Sequence, residues 1–211
     1  MTGLRERKKN ETRQHIADVA ARLFAEHGFD EVTVDQVAAA ADVAKKTVFN
    51  YFPTKEDLVF DRAEARELTM VSLVRDRPPG TPVLAAFRAQ TDRFLDFVAG
   101  REPGFQRGSV VELARSSPAL RRRGLEIRER HATVLAAELA ADTGQPEWDP
   151  VANAVARTIL ATHQSVFFEI HRLIRAGATP KEAAEAARVV ADRVFGLLER
   201  GLADYPAGTV D

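Results

Sequence analysis

The residues best suited to chemistry lie together in one stretch, VAKKTVFNYFPTKEDL, at residues 43–58. The stretch contains three lysines, several hydroxyl groups and one asparagine, and it has no acidic residue before Glu56. Lysine and hydroxyl groups hold phosphates, and an asparagine amide can form two hydrogen bonds with adenine. These side chains are therefore suited to binding a nucleic acid, although a simple solvated helix face is the alternative for the lysines.

The bulk composition restricts what kind of protein surrounds this stretch. The formal net charge of −1 argues against a protein that coats nucleic acid wholesale, but it allows a local basic site. The first sixteen residues also carry five lysines and arginines against two glutamates. The chain has no cysteine, which excludes disulfide and thiolate chemistry.

The first residues, MTGLRERKKNETRQ, are polar, and no apolar run approaches the roughly 18 residues that a membrane-spanning helix needs. We therefore expect a cytoplasmic protein that does not bind a membrane. At 211 residues the chain is long enough for one large or two small domains.

Helical periodicity runs through almost the whole chain, without the alternation of strands, so the predicted fold class is all-α. Thr33 and Gln36 have the spacing of a capping box at the start of a second helix. A third helix is predicted at about 45–52, because Pro53 ends it. Asp42 occupies the tight turn between them, where φ is expected to be positive. Three short helices in this arrangement predict a helix-turn-helix.

The segment GFDEVTVDQVAAAADVAKKTVFNYFPTKEDL resembles the DNA-binding domain of the TetR family of bacterial one-component transcriptional regulators. The match covers residues 10–60 and is most specific in TVFNYFPTKEDL. The resemblance implies a helix-turn-helix DNA-binding domain in residues 1–53 and a helical ligand-binding and dimerisation domain in residues 54–211. A helix at about 54–76 would connect the two, and we expect it to be the only long element that both halves share.

The DNA-binding residues implied by this resemblance are Thr33, Lys45, Lys46, Thr47, Phe49, Asn50, Tyr51 and Lys55. Thr33 and Lys55 would bind phosphate, Tyr51 would donate its hydroxyl to the DNA backbone, and the others would face the major groove. Phe49 stands where the family commonly has tyrosine, so an apolar contact with a thymine methyl or a sugar replaces one hydroxyl contact. Asp42 stands in place of the usual turn glycine.

Four further helices are predicted at about 82–99, 117–142, 150–175 and 180–204, with a less regular piece near 103–115. The helix at 150–175 is apolar around most of its circumference, and such a helix must be covered on more than one side. Its polar strip consists of Asn153, Arg157, Gln164, His171 and Arg175. Together the last two helices predict a symmetric four-helix interface of a homodimer, as the resemblance also implies.

Four polar residues interrupt apolar stripes and are the candidates for lining a ligand pocket: Gln90, His131, Glu138 and Glu169. The alternative is that each is a core residue satisfied by a neighbour, and a further alternative for Glu169 is pairing across the dimer interface. The segment SPALRRRGLEIRERH resembles regulators whose ligands are acyl-CoA-like. No metal site or cofactor is predicted, because His163 and His171 are eight residues apart and helical metal ligands are three or four apart.

The predicted function is that of a repressor, released from a palindromic DNA operator when a small molecule binds the C-terminal domain. A DNA-binding or partner-binding helical protein without an effector is the alternative. Enzymatic activity is not expected, because the sequence has no catalytic triad, no Gly-rich phosphate loop and no metal-ligand spacing.

Overall fold

The structure, a computed structural model, describes residues 3–61, 63–100, 113 and 116–201, with only the backbone described at residues 4, 5 and 63–66. Throughout these residues the regular elements are helical, which confirms the all-α prediction. They are α1 (Gly3–His27), α2 (Val34–Ala40), α3 (Lys45–Tyr51), a 3-10 turn (Glu56–Leu58), α4 (Ala63–Arg75), α5 (Val83–Ala99), α6 (Pro118–Asp142), α7 (Pro150–Arg175) and α8 (Pro180–Gly201). The irregular piece predicted near 103–115 lies almost wholly outside the described residues, as does the chain beyond Gly201.

The chain divides into two compact units. The first comprises Met1–Glu64 and Arg107–Ile127, and the second comprises Ala65–Gln106 and Arg128–Asp211. Helix α6 is divided between them, with its first ten residues in the first unit. The expectation that the helix after Thr54 is the only long element shared by both halves is therefore wrong.

The continuous helix predicted at about 54–76 is interrupted. Thr54 and Asp57 do cap each other, since the Thr54 amide donates to Asp57 (3.0 Å) and the Asp57 amide donates to Thr54 Oγ1 (3.3 Å). The cap starts only the single 3-10 turn, and α4 begins at Ala63. A capping box satisfies the first amides of a helix without fixing its length. The cap at Thr54 therefore did not indicate how far the helix would extend.

The core of the first unit is built around α1. Gly28 ends this helix with φ of 86°, and its amide donates to Phe24 O at 3.0 Å. The fully or almost fully buried side chains of this core are Ile16, Ala20, Phe24, Val37, Val48, Phe52 and Leu120. Leu120 comes from α6, so the start of that helix completes the core formed by the N-terminal helices.

In the second unit, α5 and α8 are joined by two reciprocal arginine contacts. Arg88 on α5 donates to Asp192 (2.8 Å) and Glu199 (2.9 Å) on α8. Arg188 on α8 donates to two acids on α5, Asp92 (3.1 Å) and Asp96 (2.7 Å). Because the early part of one helix meets the late part of the other, the two helices run antiparallel.

The sequence DRPPGTP forms the loop between α4 and α5. The buried guanidinium of Arg77 organises it by donating to the carbonyls of Val74 and Thr81 and to Asp142 at the end of α6. Among the helices that the structure describes, none is both long and apolar enough to cross a membrane.

Candidate nucleic-acid interface

The capping box predicted at the start of α2 is formed. The Gln36 amide donates to Thr33 Oγ1 (3.2 Å), and the Thr33 amide donates to Gln36 Oε1 (2.7 Å). Thr33 is exposed, so its position at the helix start is fixed while its side chain remains at the surface.

The turn between α2 and α3 has the predicted left-handed residue. Asp42 has φ of 53°, and within the described residues no other non-glycine residue has a positive φ. The chain then returns to the end of α2, where the Val43 amide donates to Ala38 O at 3.0 Å. Aspartate is one of the few side chains that tolerate this conformation, so the missing glycine has not prevented the turn.

Helix α3 presents almost all of its side chains to solvent. Val48 is 1% exposed and is its buried anchor, and Phe52, directly after the helix, is equally buried. Lys45, Lys46, Phe49 and Asn50 are exposed, and Thr47 and Tyr51 are half-buried. The six α3 residues selected from the sequence are therefore all at least partly exposed, and together they form the accessible face of α3 around the buried Val48.

One member of this face has a partner that the sequence analysis did not identify. Lys45 Nζ lies 2.8 Å from Asp35 Oδ2, and both side chains remain largely exposed. Asp35 belongs to the first turn of α2, two residues after Thr33. The ion pair thus connects the first turns of the two helices of the motif.

Helix α1 contacts the backbone carbonyls at the C-terminal ends of α2 and α3. A ring nitrogen of His15 lies 3.2 Å from Ala41 O, at the end of α2. Arg13 donates to Tyr51 O (3.0 Å), at the end of α3, and to Asp61 O (3.1 Å). Its guanidinium also lies 4.7 Å from the centre of the Phe52 ring. Arg13, one of the five N-terminal cations, is therefore a structural residue of the motif.

Lys55 is placed by the segment that precedes α2. Its Nζ donates to Asp30 O (3.3 Å) and lies 4.3 Å from the centre of the Phe29 ring. Burial lowers the pKa of Lys55, and the nearby carboxylates of Asp30, Glu56 and Glu31 oppose this shift. Lys55 lies directly before the 3-10 turn and not in a long helix. Its predicted contact with phosphate would therefore be made from this turn.

The start of α6 supports the same unit from a distant part of the sequence. The buried hydroxyl of Ser117 donates to Asp30 Oδ1 at 2.9 Å. Arg123 donates to Asp57 Oδ1 at 2.9 Å, next to the turn that contains Lys55. No short-range sequence signal could have indicated these contacts, because they depend on how α6 packs.

Three of the four candidates for a ligand pocket are hydrogen-bonded to arginines in the second unit. Gln90 accepts from Arg93 (2.7 Å), and Glu138 accepts two hydrogen bonds from Arg75. Glu169 accepts two hydrogen bonds from Arg172, one turn further along α7, and these lower its pKa. These arginine contacts fit the alternative interpretation, in which each residue is satisfied by a neighbour. The assignment of the three residues to a ligand pocket therefore stays a prediction.

His131, the fourth candidate, is buried on α6. The structure also buries polar residues that the sequence analysis did not select for the pocket. Thr91, next to Gln90, donates to Phe87 O, and its Oγ1 lies 2.9 Å from His163 Nδ1.

His171 was expected on the polar strip of α7, but it is buried and lies edge-on against Phe167 with 4.4 Å between ring centres. Burial lowers the pKa of His171 to about 4, and Arg175 adds to the shift. The imidazole is therefore neutral at neutral pH.

The first unit has the geometry of a helix-turn-helix domain, and comparison with known proteins identifies its type. Residues 16–61 match the model of the bacterial regulatory proteins of the tetR family. The chain belongs to the TetR family of bacterial transcriptional regulators.

Relatives with curated names are transcriptional regulators. The chain is 31% identical to the HTH-type transcriptional regulator TcmR of Streptomyces glaucescens over 148 residues, covering 66% of each protein. It is 34% identical over 106 residues to the HTH-type transcriptional repressor Rv1474c of Mycobacterium tuberculosis, covering 46% of this chain and 55% of the relative. The chain thus spans between about half and two thirds of the length of these relatives.

The fold as a whole is also similar to solved structures. FadR from Bacillus subtilis, solved in complex with stearoyl-CoA, superposes with a TM-score of 0.55 over 86% of this chain and 97% of that one. The identity is 17%, so this likeness shows a shared fold.

We predict that Arg13→Met lowers the free energy of unfolding by about 2–3 kcal/mol, because charged hydrogen bonds to two backbone carbonyls are lost. Urea unfolding followed by circular dichroism would measure the change. The matched control is Arg22→Met on the same helix, where the side chain is exposed and the expected change is within about 0.5 kcal/mol. Equal stability of the two variants would contradict the structural role of Arg13.

Proposed function

We propose that this chain is a ligand-responsive transcriptional regulator, a repressor that leaves a palindromic operator when a small molecule binds its C-terminal domain. The observation that carries the DNA-binding part is the exposed face of α3, on which two lysines, an asparagine and two hydroxyl side chains surround one exposed phenylalanine. Family membership and the regulator names of its relatives support the same function.

The roles of individual residues follow from their chemistry and exposure. Lys46 and Asn50 are exposed near the two ends of the α3 face, and Asn50 can pair with a base edge. Phe49 is 41% exposed, which suits contact with a thymine methyl or a sugar. Thr33 precedes α2 and Lys55 contacts the loop before α2, and both are proposed to bind phosphate.

A homodimer formed by α7 and α8 would bring two such faces to the two halves of a palindrome. Support comes from the apolar side chains that these helices leave uncovered within one chain. Val151 and Phe168 on α7, and Val189 and Leu197 on α8, are each about half exposed or more. Large exposed apolar surfaces commonly mark interfaces.

An effector site in the second unit is proposed around His131 and Glu138, which are seven residues apart on α6 and so share a face. His131 is buried, and Glu138 is largely buried and paired with Arg75. The stearoyl-CoA held by the Bacillus subtilis protein of the same fold makes an acyl-CoA a reasonable first ligand to test.

A regulator without an effector is the second candidate. It is favoured by the arginine partners of Gln90, Glu138 and Glu169, because paired polar groups do not require a ligand to satisfy them. The two candidates differ only in the second unit, and both require DNA binding by the first.

The first prediction of this function separates phosphate contacts from base contacts. Lys55→Met keeps the apolar stem over Phe29 and should weaken binding to all duplexes, with the salt slope reduced by about 0.9 for one lost phosphate contact. Asn50→Ala should instead reduce the preference for the selected sequence, with a loss of roughly 1–3 kcal/mol on that sequence.

Fluorescence anisotropy on a random duplex and on a duplex selected by the wild-type protein would measure both effects. Lys181→Met, which removes an exposed lysine from α8, is the control and should change neither affinity. Equal losses for Lys55→Met and Asn50→Ala on the two duplexes would contradict this division of roles.

The second prediction concerns the dimer. Leu197 on α8 is 61% exposed within one chain, which makes it the position to test. Leu197→Asp should shift a micromolar dimer toward monomer, because a charge would be buried without a partner. Sedimentation velocity would report the change, with Leu68→Asp on α4 as the control. A monomeric wild-type protein would rule out this interface.

The third prediction concerns the effector, with stearoyl-CoA as the first probe of a ligand panel. A ligand that binds the folded protein raises its melting temperature, and its affinity should fall at least about tenfold in His131→Ala or Glu138→Ala. Glu147→Ala, in the loop before α7, is the control. Operator DNA should weaken ligand binding by the same factor by which the ligand weakens DNA binding. Unchanged affinity in both variants would remove His131 and Glu138 from the site.

A further inference from the structure

Asp35 is the acidic residue nearest to the cations of the proposed DNA-binding face. It lies on the first turn of α2, and its carboxylate is 2.8 Å from the ammonium of Lys45, the first residue of α3. The two residues are ten positions apart, so the contact exists only because the turn at Asp42 brings the start of α3 beside the start of α2.

We propose that Asp35 is a specificity-determining residue, which holds the Lys45 ammonium away from the phosphate backbone and so lowers affinity for arbitrary DNA more than for the cognate sequence. The inference rests on the proposed function, because it concerns the DNA-binding face of the first unit. It adds a role for a residue that has no direct DNA contact in that proposal.

The physical reason lies in how the two kinds of binding arise. Binding to arbitrary DNA is almost entirely electrostatic and depends on the number of cations that reach phosphates. Binding to the cognate sequence adds contacts with base edges, and there the seated α3 would direct Lys45 into the major groove. A phosphate contact of Lys45 is then available mainly on arbitrary DNA, so withholding the ammonium lowers affinity for arbitrary DNA more than for cognate DNA.

The environment of the pair fits this role. Lys46 has no ion pair among the described residues, whereas its neighbour Lys45 is paired with Asp35. The two adjacent ammonium groups therefore differ in how readily they can contact a phosphate. The Asp35 carboxylate is also two residues from Thr33, so it adds a negative charge close to a proposed phosphate contact. The Lys45–Asp35 pair is solvent-exposed, and an exposed ion pair is weak enough for DNA to compete with it.

A purely structural role for Asp35 makes a different prediction. An acidic residue in the first turn of a helix favours the helix through its dipole. If that were the whole role, Asp35→Asn would lower the melting temperature and would leave the affinity for arbitrary DNA unchanged or lower. The proposed role requires the opposite change in affinity, and requires that it depend on Lys45.

The test is a double-mutant cycle on the full chain, with wild type, Asp35→Asn, Lys45→Met and the double variant. Affinity would be measured by fluorescence anisotropy from about 50 to about 200 mM KCl, on a random-sequence duplex pool and on a duplex selected by the wild-type protein from a randomised library. Glu26→Gln changes the net charge equally at an exposed position near the end of α1 and is the matched control.

Asp35→Asn should raise affinity for the random pool by about three- to tenfold at low salt and steepen the salt slope by about 0.9, the effect of one additional phosphate contact. The rise on the selected duplex should be smaller, and in the Lys45→Met background Asp35→Asn should have little effect. An equal rise in that background, an equal rise in Glu26→Gln, or no rise at all would overturn the inference while the proposed function stands. A wild-type protein that binds neither duplex would overturn both.

Discussion

Helix α2 and helix α3, which carries six of the eight proposed DNA-binding residues, have only seven residues each, and helices of that length are not stable in water by themselves. Their geometry therefore depends on α1, which contacts the C-terminal end of each. A His15 ring nitrogen lies beside the last carbonyl at the end of α2, and Arg13 donates to the last carbonyl of α3. These carbonyls have no partner inside their own helices, so both contacts satisfy groups that would otherwise face solvent at a helix end.

Local features of this motif could be predicted from the sequence because each depends on a few neighbouring residues. The capping box at Thr33 and the left-handed conformation of Asp42 both follow from side-chain chemistry within one turn of chain. The extent of the helix after Thr54 could not be predicted in this way. A cap indicates where a helix starts, whereas its length depends on packing, and here the cap is followed by a single 3-10 turn.

The contacts that the sequence did not indicate connect residues far apart in the chain. Ser117 reaches Asp30, and Arg123 reaches Asp57, because the start of α6 packs in the first unit. The polar residues selected in the second unit illustrate the same limit. Periodicity indicated that Gln90 and Glu138 interrupt apolar stripes, but it could not show that arginines occupy their hydrogen-bonding groups.

The reciprocal contacts between α5 and α8 restrict motion along the helix axes. Arg88 binds two acids on α8, and Arg188 binds two acids on α5. Each arginine lies in the first half of its own helix, and its partners lie in the second half of the other helix. A slide of one helix past the other by one turn, about 5.4 Å, would break both sets of arginine contacts together. Exposed ion pairs of this kind contribute little to stability, and salt screens them. All four contacts form in a single axial register, so we expect α5 and α8 to shift together as one body.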